Sequence, residues 1–83
     1  MIDYHIDLIL INMVNNIYYS IGKKVKIMRK GLGLTVIELG NKAKLSKESI
    51  IKIESGRANP TIKTLYKLSK ALKTKPYKLV EGH

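Results

Sequence analysis

The sequence of 83 residues predicts an all-α fold, on three observations. Apolar residues recur at helical spacing along residues 21–80: Ile21, Val25 and Met28 share one face, as do Val36, Leu39 and Ala43, then Ile50 and Ile53, then Ile62, Leu65, Leu68 and Leu72. Hydroxyl residues suited to helix capping precede two of these runs, and Pro60 and Pro76 stand where helices start. Residues 35–59 carry the most information, because their spacing describes two short helices set at a steep angle with a third close behind.

Thr35 opens the first helix of that pair as its N-cap, and Glu38 completes a Thr-x-x-Glu capping box. Gly40 stands where a crossing helix comes closest, so that a side chain there would hold the helices apart. The turn Lys44-Leu45 leads to Ser46, whose hydroxyl caps the next helix, and Gly56 ends that helix because a left-handed residue costs glycine no Cβ clash. Ile50 and Ile53 face back toward the first helix, and the outward positions Lys47, Glu48, Ser49 and Lys52 all bear hydrogen-bonding groups. This is the skeleton of a helix-turn-helix, and it points to DNA.

The segments RKGLGLT, LSKESIIKIESGRANP and TLYKLSKAL occur together and in order. With them, residues 21–80, about three quarters of the chain, resemble the DNA-binding domain of the phage repressor and Cro-like (XRE) helix-turn-helix family. The resemblance implies a lambda-repressor-like bundle of five helices, at 21–30, 36–43, 47–55, 62–72 and 76–80. It also implies that the third helix is the recognition helix, with its N-terminal residues meeting base edges in the major groove.

On that resemblance Lys47, Glu48 and Lys52 are the base-reading candidates. Lysine donates to guanine O6 and N7 and glutamate accepts from cytosine N4, so the expected half-site contains G/C pairs. Thr35, Lys44, Ser46, Ser49, Arg57 and Asn59 are the phosphate candidates, together with backbone amides at the helix starts. The plainer reading of the lysines is a solvated helix face. Arg29 and Glu54 match a partly buried ion pair between the first and third helices, fixing the recognition helix without touching bases.

Three positions depart from the family pattern. Val36 stands where Gln commonly bonds a phosphate, and Lys44 stands where Gly commonly takes a left-handed turn, at a cost of roughly 1 to 2 kcal/mol. Gly40 stands where Ala is usual, with a loss of up to about 1 kcal/mol in helix propensity.

Composition agrees on the partner class. Sixteen Lys plus Arg oppose six Asp plus Glu, and since residues 1–20 hold only Asp3 and Asp7, the remainder is net +12. Such a footprint suits nucleic acid, although charge alone also fits RNA or an anionic membrane surface. Fourteen of the sixteen are Lys, which favours diffuse, salt-sensitive phosphate attraction over bidentate readout.

No cysteine is present, so neither a disulfide framework nor a thiolate metal site is expected, and His5 and His83 lie at opposite ends. No metal, cofactor or small-molecule substrate is expected. The sequence contains no nucleophile–base–acid set, no H-E-x-x-H, and no strand-borne glycine-rich loop, which reads against an enzyme.

Residues 1–20 fall outside the family pattern and read as an apolar N-terminal arm. Ile2, Tyr4, Ile6, Leu8 and Leu10 alternate with Asp3, His5 and Asp7 at strand period, and a lone strand needs a partner edge that a two-fold dimer supplies. A strand is the first reading. A helix, suggested by the continuous apolar run of residues 8–14, and a flexible leader are the alternatives. A membrane anchor or signal is disfavoured by Asp3, Asp7 and the asparagines at 12, 15 and 16.

The expected organisation is therefore an arm at 1–20 that includes a dimerisation strand, a helix-turn-helix domain at 21–80, and a tail at 81–83 that also fits a tag remnant. The expected function is sequence-specific binding of double-stranded DNA at an inverted-repeat operator by a cytoplasmic homodimer that represses transcription. The alternative is an antitoxin or adaptor-type module that uses the same scaffold to bind a protein.

Overall fold

In the computed structural model, residues 4–81 are described, and they form five α-helices: α1 (Tyr4–Gly31), α2 (Val36–Ala43), α3 (Lys47–Glu54), α4 (Ile62–Ala71) and α5 (Pro76–Val80). α1 packs on α3 and α5, α2 packs on α3 and α4, and α4 packs on α5. Their shared core holds Ile21, Val25, Leu39, Ala43, Ile50, Ile53, Leu68, Leu72 and Leu79. The helical stripes thus fall on the core with one exception. Ile62 is 87% exposed, because in the first turn of α4 the stripe has run past the edge of the bundle.

The arm is helical from Tyr4 onward, which corrects the strand reading. Tyr4, Ile6, Leu8 and Leu10 belong to the same uninterrupted helix as Ile21 and Val25, and Ile2 lies outside the described residues. No glycine or proline interrupts the sequence between Tyr4 and Ile21, so nothing local stops α1 from running through. At about 1.5 Å per residue α1 is about 42 Å long. This accounts for most of the 48 Å long dimension of a molecule only 24 × 20 Å across. Leu10 and Met13 on this helix are more than half exposed, while Ile17 packs against the core.

Local chemistry explains the helix ends. Thr35 and Glu38 form the reciprocal capping box, with Thr35 N–H donating to the Glu38 carboxylate at 2.9 Å and Glu38 N–H donating to Thr35 Oγ1 at 3.1 Å. Ser46 caps α3 and Thr61 caps α4, each accepting from the amide three residues on. Behind α3, Gly56 has φ +75°, and the bonds Gly56 N–H to Ile53 O and Arg57 N–H to Lys52 O close a Schellman motif. Lys44 ends α2 in the left-handed region at φ 57°, where glycine would be unstrained.

Two glycines allow α1 to lie directly on α3. A Cβ on Gly22 would stand 2.1 Å from the carbonyl oxygen of Ile53, and a Cβ on Gly56 would stand 3.0 Å from Cα of Tyr19. We expect Gly22→Ala to destabilise the fold by at least about 2 to 3 kcal/mol, since the obstacle is backbone and cannot rotate away. Gly31→Ala, which meets nothing within 4 Å, serves as the control and should be close to neutral. Urea unfolding of the two variants, read as midpoint shifts at constant slope, provides the check.

Candidate nucleic-acid interface

α3 is eight residues long, and its burial pattern defines what it can present. Ile50 and Ile53 are buried in the core, while Lys47, Glu48, Ile51, Lys52 and the following Ser55 form an exposed stripe on the opposite side. The base-reading candidates Lys47, Glu48 and Lys52 therefore share one face. Ile51, absent from the sequence expectation, stands on it with them.

The helix is fastened at both ends. At its C-terminal end Arg29 reaches from α1 and grips Glu54 through two bonds, Nε to Oε2 at 2.6 Å and Nη2 to Oε1 at 3.0 Å. Nη1 of the same guanidinium donates to the carbonyl of Leu34 at 2.8 Å, so one side chain ties α3 to the α1–α2 connection as well. Both partners are more than nine-tenths buried as side chains. The hydrogen bonding to the Glu54 carboxylate, and secondarily its charge, raises the Arg29 guanidinium above its already high ordinary value despite the opposing effect of burial.

At its N-terminal end α3 is set by Gly40. A Cβ there would stand 2.7 Å from the carbonyl oxygen of Leu45 in the turn. The glycine thus gives close passage to the turn backbone, and its loss of helix propensity is offset by that approach.

The phosphate candidates divide by what their hydrogen atoms already do. Ser46 Oγ accepts from Ser49 N–H at 3.1 Å and donates to Ser49 Oγ at 2.9 Å, so the capping serine spends its own proton. Of that pair, Ser49 keeps a free hydroxyl hydrogen. Thr35 accepts in the capping box but retains its hydroxyl hydrogen at the exposed start of α2. Arg57 is exposed and held by Nε to Ser55 Oγ at 2.9 Å, while Ser55 donates in turn to Lys52 O. Its terminal nitrogens remain available for an anion.

Asn59 lines a shallow cleft beside α3 with Ser49, Lys52, Thr61 and Thr64. The cleft joins the N-terminus of α4 to the flank of α3, and its Thr61 and Thr64 are absent from the sequence expectation, in which Pro60 alone marks the start of the fourth helix. Lys44 is exposed but lies at the other end of α2, in a hollow with Lys42, Tyr66, Lys67 and Lys70. On the flank of α1, Lys23, Lys26 and Lys30 surround a second hollow reaching Glu54. The basic surface is thus broader than the α3 stripe.

Among the described residues no group of three His, Cys, Asp or Glu is placed to hold a metal ion, and no helix is long and apolar enough to cross a membrane.

Residues 25–79 match the helix-turn-helix family HTH_3. The chain belongs to that family. In its terms α2 and α3 are the eponymous pair and α3 is the second helix of the motif. A curated relative, the immunity repressor protein of Bacillus phage phi105, is 38% identical over 53 residues, which cover 64% of this chain and 37% of the relative. The chain thus spans little more than a third of that repressor's length.

Among solved structures, an HTH_3-family transcriptional regulator from Vibrio cholerae superposes with a TM-score of 0.75, with 27% identity over 80% of this chain and 37% of that one. The SinR protein/SinI protein complex gives a TM-score of 0.71 with 34% identity, over 74% of this chain and 60% of the other. These likenesses establish the helical fold and the family together.

Removing one partner of the buried pair leaves the other charge uncompensated. Arg29→Met should therefore cost about 3 to 5 kcal/mol, while Arg29→Met combined with Glu54→Leu should recover most of that loss. Chemical denaturation of the single and double variants measures both.

Glu38 provides a pH-dependent counterpart. Its carboxyl is held below the usual carboxylate range, first by the Thr35 backbone N–H and then by the Thr35 side chain. A depressed folded value means that the capping contribution is complete above the unfolded value of about 4.3 and is lost as pH falls through the folded value. NMR titration should place the Glu38 midpoint below that of an unperturbed glutamate. Glu38→Gln, which keeps the acceptor, should flatten that part of the stability profile.

Proposed function

We propose that this DNA-binding helix-turn-helix regulator of transcription acts in the cytoplasm as a homodimeric repressor, with α3 lying in the major groove of an inverted-repeat operator. The observation that carries the reading is the exposed stripe of α3. Three hydrogen-bonding side chains, Lys47, Glu48 and Lys52, stand on one face of a helix whose position is fixed by Arg29, Gly22 and Gly40. Lys47 and Lys52 donate to guanine, and Glu48 accepts from cytosine. Ser49, Thr35, Arg57, Asn59 and, farther along α2, Lys44 engage phosphate oxygens, while Ser46 acts through its cap. The net charge of +12 outside the arm supplies long-range attraction. The role is one of binding and occlusion, without catalysis.

The dimer follows from α1. The N-terminal half of α1 bears exposed Leu10 and Met13, apolar side chains that favour a covering partner. A second copy of the same segment covers those residues in a two-fold pairing of helices, in place of the strand pairing suggested by alternation alone. Residues 1–20 hold Asp3 and Asp7 and no lysine or arginine, so the arms meet without the repulsion that +12 imposes on the domains. Dimerisation also meets the need for two half-sites about 34 Å apart.

A second reading is favoured by the same helix and by the SinR–SinI neighbour, whose structure is a complex of two different proteins. In it the exposed apolar segment of α1 docks another protein, as in an antitoxin or adaptor. Salt separates the two, because phosphate contacts weaken steeply with ionic strength and apolar docking does not.

Selection from randomised duplex DNA at about 150 mM salt should enrich an inverted repeat with half-site centres one helical turn apart. Lys47→Ala or Lys52→Ala should then lower affinity for the selected site by about 1 to 3 kcal/mol and relax one base position. Equal losses on all sequences would reassign these lysines to phosphate. Deleting residues 1–16 should leave a folded domain of monomeric sedimentation mass; an unchanged mass would reject the arm as the dimer contact.

A further inference from the structure

Ile51 is the apolar residue on the outward stripe of α3. It is 40% exposed, while its neighbours Ile50 and Ile53 are 0% and 4% exposed in the core. One turn before it stand Lys47 and Glu48, Lys52 follows it, and Ser55 lies one turn after, all exposed. Single exposed apolar side chains are ordinary on protein surfaces, and Ile37 and Ile62 are more exposed still. What distinguishes Ile51 is its surroundings, since it sits amid the groups that face base edges. The major-groove edge of DNA presents hydrogen-bonding groups and one apolar group, the C5-methyl of thymine.

We infer that Ile51 is a specificity-determining residue that packs against a thymine C5-methyl group, so that the half-site requires a thymine beside the pairs read by Lys47, Glu48 and Lys52. The inference rests on the placement of α3 in the major groove proposed above. β-Branching leaves an isoleucine few χ1 choices in a helix, so the contact is made by a side chain already fixed in direction. Little rotamer freedom is lost on binding, in contrast to the flexible lysines around it. The methyl contact discriminates thymine from cytosine on a principle that the charged residues of the stripe lack.

The test uses the full chain and the duplex enriched by selection. Each half-site thymine is replaced in turn by deoxyuridine, which removes the methyl and leaves base pairing intact. Affinities are compared for the parent chain, Ile51→Val and Ile51→Ala. At one thymine per half-site the parent chain should lose about fourfold in affinity, the worth of one buried methyl-sized group. Ile51→Val should keep part of that preference, and Ile51→Ala should bind the thymine and uracil duplexes equally.

The core is carried by Ile50 and Ile53, so the helical circular dichroism of both variants should match the parent's. Indifference of the parent chain to uracil at every position, a selected half-site without thymine, or an Ile51→Ala variant that keeps the full preference each overturns the inference while leaving operator binding standing. Failure to enrich any site instead removes the reading of function on which it rests.

Discussion

The bidentate contact between Arg29 and Glu54 governs where α3 can lie. Its distances of 2.6 and 3.0 Å lock both planar groups, and the third bond, to Leu34 O, carries the constraint into the α1–α2 connection. A domain of this size has few buried side chains with which to hold a short helix in one orientation. Here the orientation is secured by directional bonds at one end and by backbone-to-backbone approach at Gly22 and Gly40. The exposed stripe of α3 inherits that rigidity. Lysines on a mobile helix would attract phosphates anywhere, whereas lysines on a fixed helix meet particular base edges.

Much of the bundle was legible because its signals are local. The capping box of Thr35 and Glu38, the cap at Ser46, and the left-handed Gly56 each depend on residues within a turn of one another, and periodicity located most of the core. Gly22 was opaque for the opposite reason. Its need for a missing side chain comes from the Ile53 carbonyl, far along the chain. The arm misled through alternation at 2, 4, 6, 8 and 10, a pattern that a helix containing many apolar residues also produces. The better signal was continuity, with no helix-breaking residue before the stripe that begins at Ile17. Ile51 was hidden among Ile50 and Ile53 until the structure showed which side of α3 is covered.

The two arginines differ from the fourteen lysines in use as well as number. Arg29 is spent inside the protein, and Arg57 is tethered outside it by Ser55, just past α3. A planar fork thus appears at each end of this short path, once for orientation and once toward solvent. The lysines surround the domain, on α1 at 23, 26 and 30, on α2 at 42 and just past it at 44, and on α4 at 63, 67 and 70. Strongly hydrated ammonium groups on flexible stems suit the early, sequence-blind phase of an encounter with a polyanion. In the function proposed above, selectivity then falls to the few side chains of α3.

The unbroken run of α1 makes the arm and the recognition helix parts of one mechanical body. The helix that carries Arg29 continues without a hinge to Tyr4. Whatever grips the distal end therefore sets an angular phase as well as a distance. A single residue added between the arm and Ile21 would advance the arm by only about 1.5 Å but swing its gripping face through about 100°. Helical pitch, more than reach, thus ties the geometry of association to the direction in which α3 points.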